Sequence, residues 1–171
     1  MHDGYIYTLG ICGSASGSGP APACLDLMLA ALPPVKRAAY LGEVMFDGGM
    51  ASLADPLIEP VRADIDAAEL LIIVTPLPGG RLPTRLTALI QAIEQEPPSV
   101  ARRFALLVVF ADASLTGLWP LRHAFEHAAI ELLNEIYVPT EGDLHPIADE
   151  LITLARQAYG RARAMHPEAL P

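Results

Sequence analysis

The chain has 171 residues, with 20 acidic against 11 basic side chains and a formal net charge of -9. So acidic a chain offers no clustered basic surface with which to release counterions from a phosphate backbone, which argues against both nucleic acid and anionic membranes as partners. Hydrophobic residues make up 52% of it, yet its apolar runs, such as residues 105–111, fall far short of the roughly 20 residues a spanning helix needs.

The length fits one compact domain over residues 1–171. The opening MHDG lacks the basic start and apolar stretch of a secretory signal, so the expected location is the cytoplasm. Cys12 and Cys24 form no CxxC pair and no zinc-type spacing, and read as buried, reduced thiols.

Residues 5–12 (YIYTLGIC) read as a strand, stopped by the small-residue run 13–19 (GSASGSG). A helix follows: Pro20 and Pro22 suit a first turn, and Cys24, Leu25, Met28, Leu29 and Leu32 recur at helical spacing until Pro33 and Pro34 end it. Residues 36–41 form a weak second strand, and residues 42–52, with Gly48 and Gly49, form a long loop. Leu57, Ile58, Val61, Ile65 and Ala68 mark an amphipathic helix over 56–68. Residues 70–75 (LLIIVT) are a continuous apolar run, as expected of a strand buried on both faces. A Pro/Gly loop over 76–83 leads into a helix at 84–94. A second buried strand spans 104–110, a helix 121–133, a short strand 135–138 and a last helix 147–165.

Strands alternating with helices imply parallel strands joined by right-handed crossovers, with helices on both faces. Five such units in this length fit a flavodoxin-like three-layer α/β/α sandwich, its five-stranded parallel sheet ordered 2-1-3-4-5. Ligands of such sheets bind beyond the carboxyl ends of the strands, at the switch point between strands 1 and 3. The loops that matter are therefore 13–20, 75–83 and 111–117.

The first of these places glycines and serines between a strand and a helix, where backbone N–H groups, hydroxyls and the helix dipole can converge on a phosphate. It contains no Walker Gly-Lys-Ser/Thr and no GxGxxG. Ser18 stands where a low-molecular-weight tyrosine phosphatase needs arginine, and Thr75 where a response regulator needs aspartate. His123 and His127 lie four apart on a helix but do not form His-Glu-x-x-His, and read as surface or interface histidines. Trp119 beside Pro120 reads as a packing anchor, with stacking on a flavin or partner as the alternative.

These loops resemble those of the NADPH-dependent FMN reductases of the flavodoxin-like superfamily. Gly13 and Ser14 match the family's Gly-Ser after strand 1, Ser16 stands at its arginine, and Ser18 or Gly19 falls near its later serine. After strand 3, Thr75, Pro76, Pro83, Leu86 and Ile90 fall in register with its pattern, while Pro78, Gly79, Thr87 and Gln91 replace tyrosine, asparagine, lysine and aspartate. The resemblance implies FMN as cofactor, with NADPH or NADH as reductant of a flavin, quinone or other small acceptor. It assigns Ser14, Ser16, Gly17 and Ser18 to the FMN phosphate, Thr75, Pro76, Leu77, Pro78 and Gly79 to the ring edge, and Asp112 and Ser114 to its other side. Arg81 or Arg85 would meet a dinucleotide phosphate. Such chemistry belongs to the cofactors and demands no side-chain acid or base. The high apolar fraction suggests a homodimer or homotetramer. The alternative is a protein that keeps the fold, has lost flavin and serves as a binding or assembly partner.

Overall fold

The computed structural model describes residues 4–42, 55–98, 102–112 and 114–166. Most of the expected loop at 42–52, including Asp47, Gly48 and Gly49, lies outside the described residues.

Among the described residues, five strands and five α-helices alternate: β1 (Thr8–Cys12), α1 (Pro20–Ala30), β2 (Lys36–Tyr40), α2 (Ile58–Ala67), β3 (Leu70–Pro76), α3 (Thr84–Gln95), β4 (Arg103–Phe110), α4 (Trp119–His127), β5 (Ile130–Val138) and α5 (Ala148–Met165). Every pairing is parallel, and the sheet order is β2-β1-β3-β4-β5, as expected. The central strands are almost wholly apolar because both of their faces are covered, with Thr8, Thr75 and Arg103 as buried polar exceptions. Leu71, Ile73, Leu107 and Val109 pack with α2, α3 and α4, while Ile72, Val74, Leu106 and Val108 pack with α1 and α5. Strand periodicity of two thus divides each apolar run between two cores.

One boundary differs from the sequence reading. The helix expected to run over 121–133 stops at His127, and β5 begins at Ile130. Leu121, Phe125 and Leu132 continue a helical spacing, which is why the pattern alone carries the helix too far. Two facts end it. Ala129 takes a left-handed φ of 53°, and β4, eight residues long, engages β5 from Arg103 to Phe110. Leu132 then joins the core under α2, α3 and α4, and Leu133 joins the opposite one. The register slips between Ala105 and Leu106, which face Leu132 and Asn134, so that Leu133 is the extra residue of a bulge.

Candidate functional site

Because β1 lies between β2 and β3, the chain leaves it toward α1 on one side while β3 leads to α3 on the other, which opens a crevice over the carboxyl ends of the two strands. Their ends are held tightly together. The Gly13 N–H donates to Val74 O at 2.9 Å. A Cβ on Gly13 would lie 2.7 Å from Thr75 Oγ1, so this approach requires glycine.

From Gly13 the loop turns outward. Ala15, Ser16, Gly17, Ser18 and Gly19 are exposed, and Ser14 is half-buried. The serines organise the loop among themselves: Ser16 N–H donates to Ser14 Oγ and Ser18 N–H to Ser16 Oγ, each at 3.2 Å. The Ser16 and Ser18 hydroxyls are 3.2 Å apart. Hydroxyl protons rotate freely, so these side chains can turn donors toward an anion without breaking the backbone contacts. The start of α1 adds less than usual. Pro20 and Pro22 lack N–H groups, and no side chain caps the helix.

The opposite rim comes from β3. Pro78 and Gly79 are exposed and Pro76 is half-buried. Thr75 and Leu77 face inward instead. The Thr75 side chain is wholly buried, donating to Pro76 O at 3.0 Å, and Leu77 is buried with its N–H bonded to Phe110 O at 2.9 Å. These two residues support the rim from beneath. Beyond β4, Asp112 and Ser114 are exposed. Asp112 accepts the Thr140 N–H at 2.7 Å, and hydrogen bonding from Thr140 holds its carboxyl below the ordinary range. Ser114 Oγ lies 2.8 Å from Thr116 Oγ1. A methyl group on Gly117 would press into the Gly80 carbonyl, 2.9 Å from its carbon, so the loops after β3 and β4 touch backbone to backbone.

Lys36 and Arg85 are committed to other contacts. Lys36 Nζ donates to Leu29 O and Leu32 O, each at 2.6 Å, at the far end of α1. Arg85 is bound at 2.8 Å to the buried Asp55 and at 2.5 Å to Leu41 O. Its guanidinium therefore ties α3 to the segments flanking β2 and α2. Arg81 is exposed. On the other side of the crevice, the Tyr40 hydroxyl bonds Asp26, and burial followed by that bond pushes its pKa up to about 12.

Among the described residues, no group of three His, Cys, Asp or Glu side chains could hold a metal ion, and no helix is long and apolar enough to cross a membrane. His123 instead stacks on Trp119 and packs at a tilt against His127, and the Trp119 indole is 65% exposed and so does not act as a packing anchor.

The sequence matches no family model and no curated protein. Solved structures do match. The apo form of an NADH:FMN oxidoreductase, 15% identical, is covered over 94% of this chain and 89% of that one at a TM-score of 0.65. A flavodoxin from Pseudomonas aeruginosa, 19% identical, is covered over 90% and 99% at 0.61. The fold is flavodoxin-like. An NAD(P)H:quinone oxidoreductase from Methanothermobacter marburgensis shares it at 12% identity and a TM-score of 0.58, over 94% of this chain and 97% of that one. In this flavodoxin-like frame the exposed serine loop, the proline rim and the loop after β4 converge on one edge of the sheet.

Proposed function

We propose that this protein binds FMN and acts as an oxidoreductase, drawing electrons from NADPH or NADH and passing them to a flavin, quinone or other small acceptor. The observation that carries the reading is the exposed loop of three serines at the switch point between β1 and β3, faced by an apolar rim. The residues fit the cofactor. Ser14, Ser16 and Ser18 supply neutral hydroxyl donors for a phosphate, and the backbone at Gly17 is unobstructed, with nothing within 4 Å of an added Cβ. Pro76, Pro78 and Gly79 offer an edge for a flat apolar ring, with Asp112 and Ser114 opposite. Support comes also from the likeness to an NADH:FMN oxidoreductase and an NAD(P)H:quinone oxidoreductase.

When bound, FMN supplies the hydride and electron transfer chemistry. The chain's own part is to bind and orient. The serine loop anchors the phosphate, Thr75 and Leu77 hold the rim at fixed height, and the Asp112 to Thr140 bond fixes the loop after β4. A second reading, a fold that has lost flavin and serves as a binding partner, is favoured by one observation. Arg85 is spent on Leu41 O and Asp55, leaving the phosphate loop without that cation.

Titration of the purified protein with FMN, followed by flavin fluorescence and absorbance, separates the two. Saturable binding that the double substitution Ser14→Asp and Ser18→Asp abolishes is expected, through charge repulsion of the phosphate. Absence of binding at saturating FMN refutes the oxidoreductase reading.

A further inference from the structure

A cleft that contains none of the residues assigned to FMN opens between the start of α3 and the start of α4. It holds about 800 Å³, with Leu82, Leu115 and Pro120 as apolar wall, Trp119 as an aromatic one, and Arg81 and Arg122 as its two cations. Gly117 also lines it, so the cleft adjoins the rim of the crevice while containing no residue of the serine loop. We propose that this cleft binds a planar aromatic monocarboxylate, its ring on Trp119 and its carboxylate held by Arg81 and Arg122.

The volume lies in the range of small-molecule sites, which combine apolar walls with a few polar groups. Trp119 is 65% exposed, an unusual position for the largest apolar side chain. It is nevertheless braced: one face stacks on His123 at 4.9 Å and 26°, His123 packs in turn at a tilt of 37° against His127 at 4.0 Å, and His123 Nδ1 lies 3.1 Å from Glu94 on α3. The indole is thus held in one orientation without being covered, which reduces the entropy lost when a second ring stacks on it.

Charge decides the ligand's valence. In a chain of net charge -9, two arginines at one cleft stand out. Arg122 is largely balanced by Glu135, 2.6 Å from its Nη2, and is steadied by the Tyr137 hydroxyl at 3.0 Å. Arg81 is exposed and makes no ion pair among the described residues. The set therefore carries about one net positive charge. One carboxylate neutralises it, whereas a phosphate dianion would leave a charge unmatched beside apolar walls. The two threonines of the lining are engaged already, Thr87 with Pro83 O and Thr116 with Ser114, so the arginines are the strong donors on offer. This holds with or without flavin.

Trp119 is the only tryptophan in the chain, so its fluorescence reports on the cleft directly. The probes are benzoate, benzamide as the same ring uncharged, cyclohexanecarboxylate as the same charge without the plane, and inorganic phosphate. Calorimetry runs alongside. Benzoate is expected to change the emission saturably and the two analogues to bind about tenfold more weakly, as expected when a charge-assisted contact or a stacking surface is lost. Phosphate is expected not to compete. Arg81→Gln should weaken benzoate about tenfold with an unchanged melting temperature, and Trp119→Ala should weaken it in calorimetry. Equal binding of benzoate and benzamide overturns the proposal, as does an Arg81→Gln variant of unaltered affinity or the absence of saturation at millimolar benzoate. An emission that shifts on protein dilution and ignores benzoate also overturns it, and makes this face an interface between two copies.

Discussion

Replacing Gly117 by alanine tests whether the loops after β3 and β4 are locked together as closely as they stand. The added methyl would press into the Gly80 carbonyl oxygen, at 2.9 Å from its carbon and 3.3 Å from Arg81 Cα. All of these are backbone atoms, so no side-chain rotation relieves the clash and the loops must part. Overpacking of this kind costs about 1–3 kcal/mol. At about 2–4 °C per kcal/mol for a chain of this size, the melting temperature should fall by about 2–12 °C. Gly17→Ala is the internal control. Its Cβ meets nothing within 4 Å and its φ lies outside the left-handed region, so the melting temperature should stay within about 2 °C. Thermal unfolding of both variants beside the parent, followed by circular dichroism, decides the matter. Equal melting temperatures for the two variants would refute the close approach.

Two further outcomes follow from buried polar groups. The Asp55 side chain is fully buried; burial raises its pKa, but the Leu57 N–H and the Arg85 guanidinium outweigh that and hold it below the ordinary carboxylate value. A depressed folded-state pKa contributes stability that is present above the unfolded value near pH 4 and is lost as pH falls through the folded one. Urea midpoints measured down the acid range should therefore fall more steeply for the parent than for Asp55→Asn, and parallel profiles would count against the pair; Asp55→Ala, which removes the acceptor of both the Leu57 N–H and Arg85, should cost about 1–3 kcal/mol at neutral pH. Burial also pushes both thiols up, Cys24 to about 12, so iodoacetamide at mildly alkaline pH should label neither in the native protein and both in urea. Rapid native labelling of Cys24 would contradict the packing of α1.

The central strands were legible because burial on both faces leaves a mark in the sequence itself: LLIIVT and FALLVVF have almost no polar positions. Strand β5 was only half legible. Its edge position leaves Glu131, Asn134 and Tyr137 exposed, and a sequence of that mixed character fits a helix as well until β4 demands a partner. At the site, the serine loop announced itself through composition. What the sequence could not show was which way residues face. Thr75 and Leu77 lie in a motif that resembles a ligand-binding one, yet both point into the protein. The same holds for Arg85, whose partner Asp55 lies 30 positions earlier and is brought close only by the packing of α2 against α3. The exposure of Trp119 was equally hidden, since a tryptophan beside proline carries no sign of whether a core receives it.

The place of β1 inside the sheet has a consequence for how the chain acquires its shape. Its first neighbour, β2, is supplied by the next helical crossover, so a β1–α1–β2 unit can close early. Its second neighbour is β3, paired from Thr8 with Leu70 and thus separated by roughly sixty residues of chain, a loop whose closure entropy must be met before any contact rewards it. Until then the other edge of β1 presents unpaired N–H and C=O groups beside Leu9 and Ile11, both wholly buried in the finished molecule. During synthesis that edge emerges first and waits longest. The strand at the heart of the switch point is thus also the one most exposed to wrong pairing while the protein is being made.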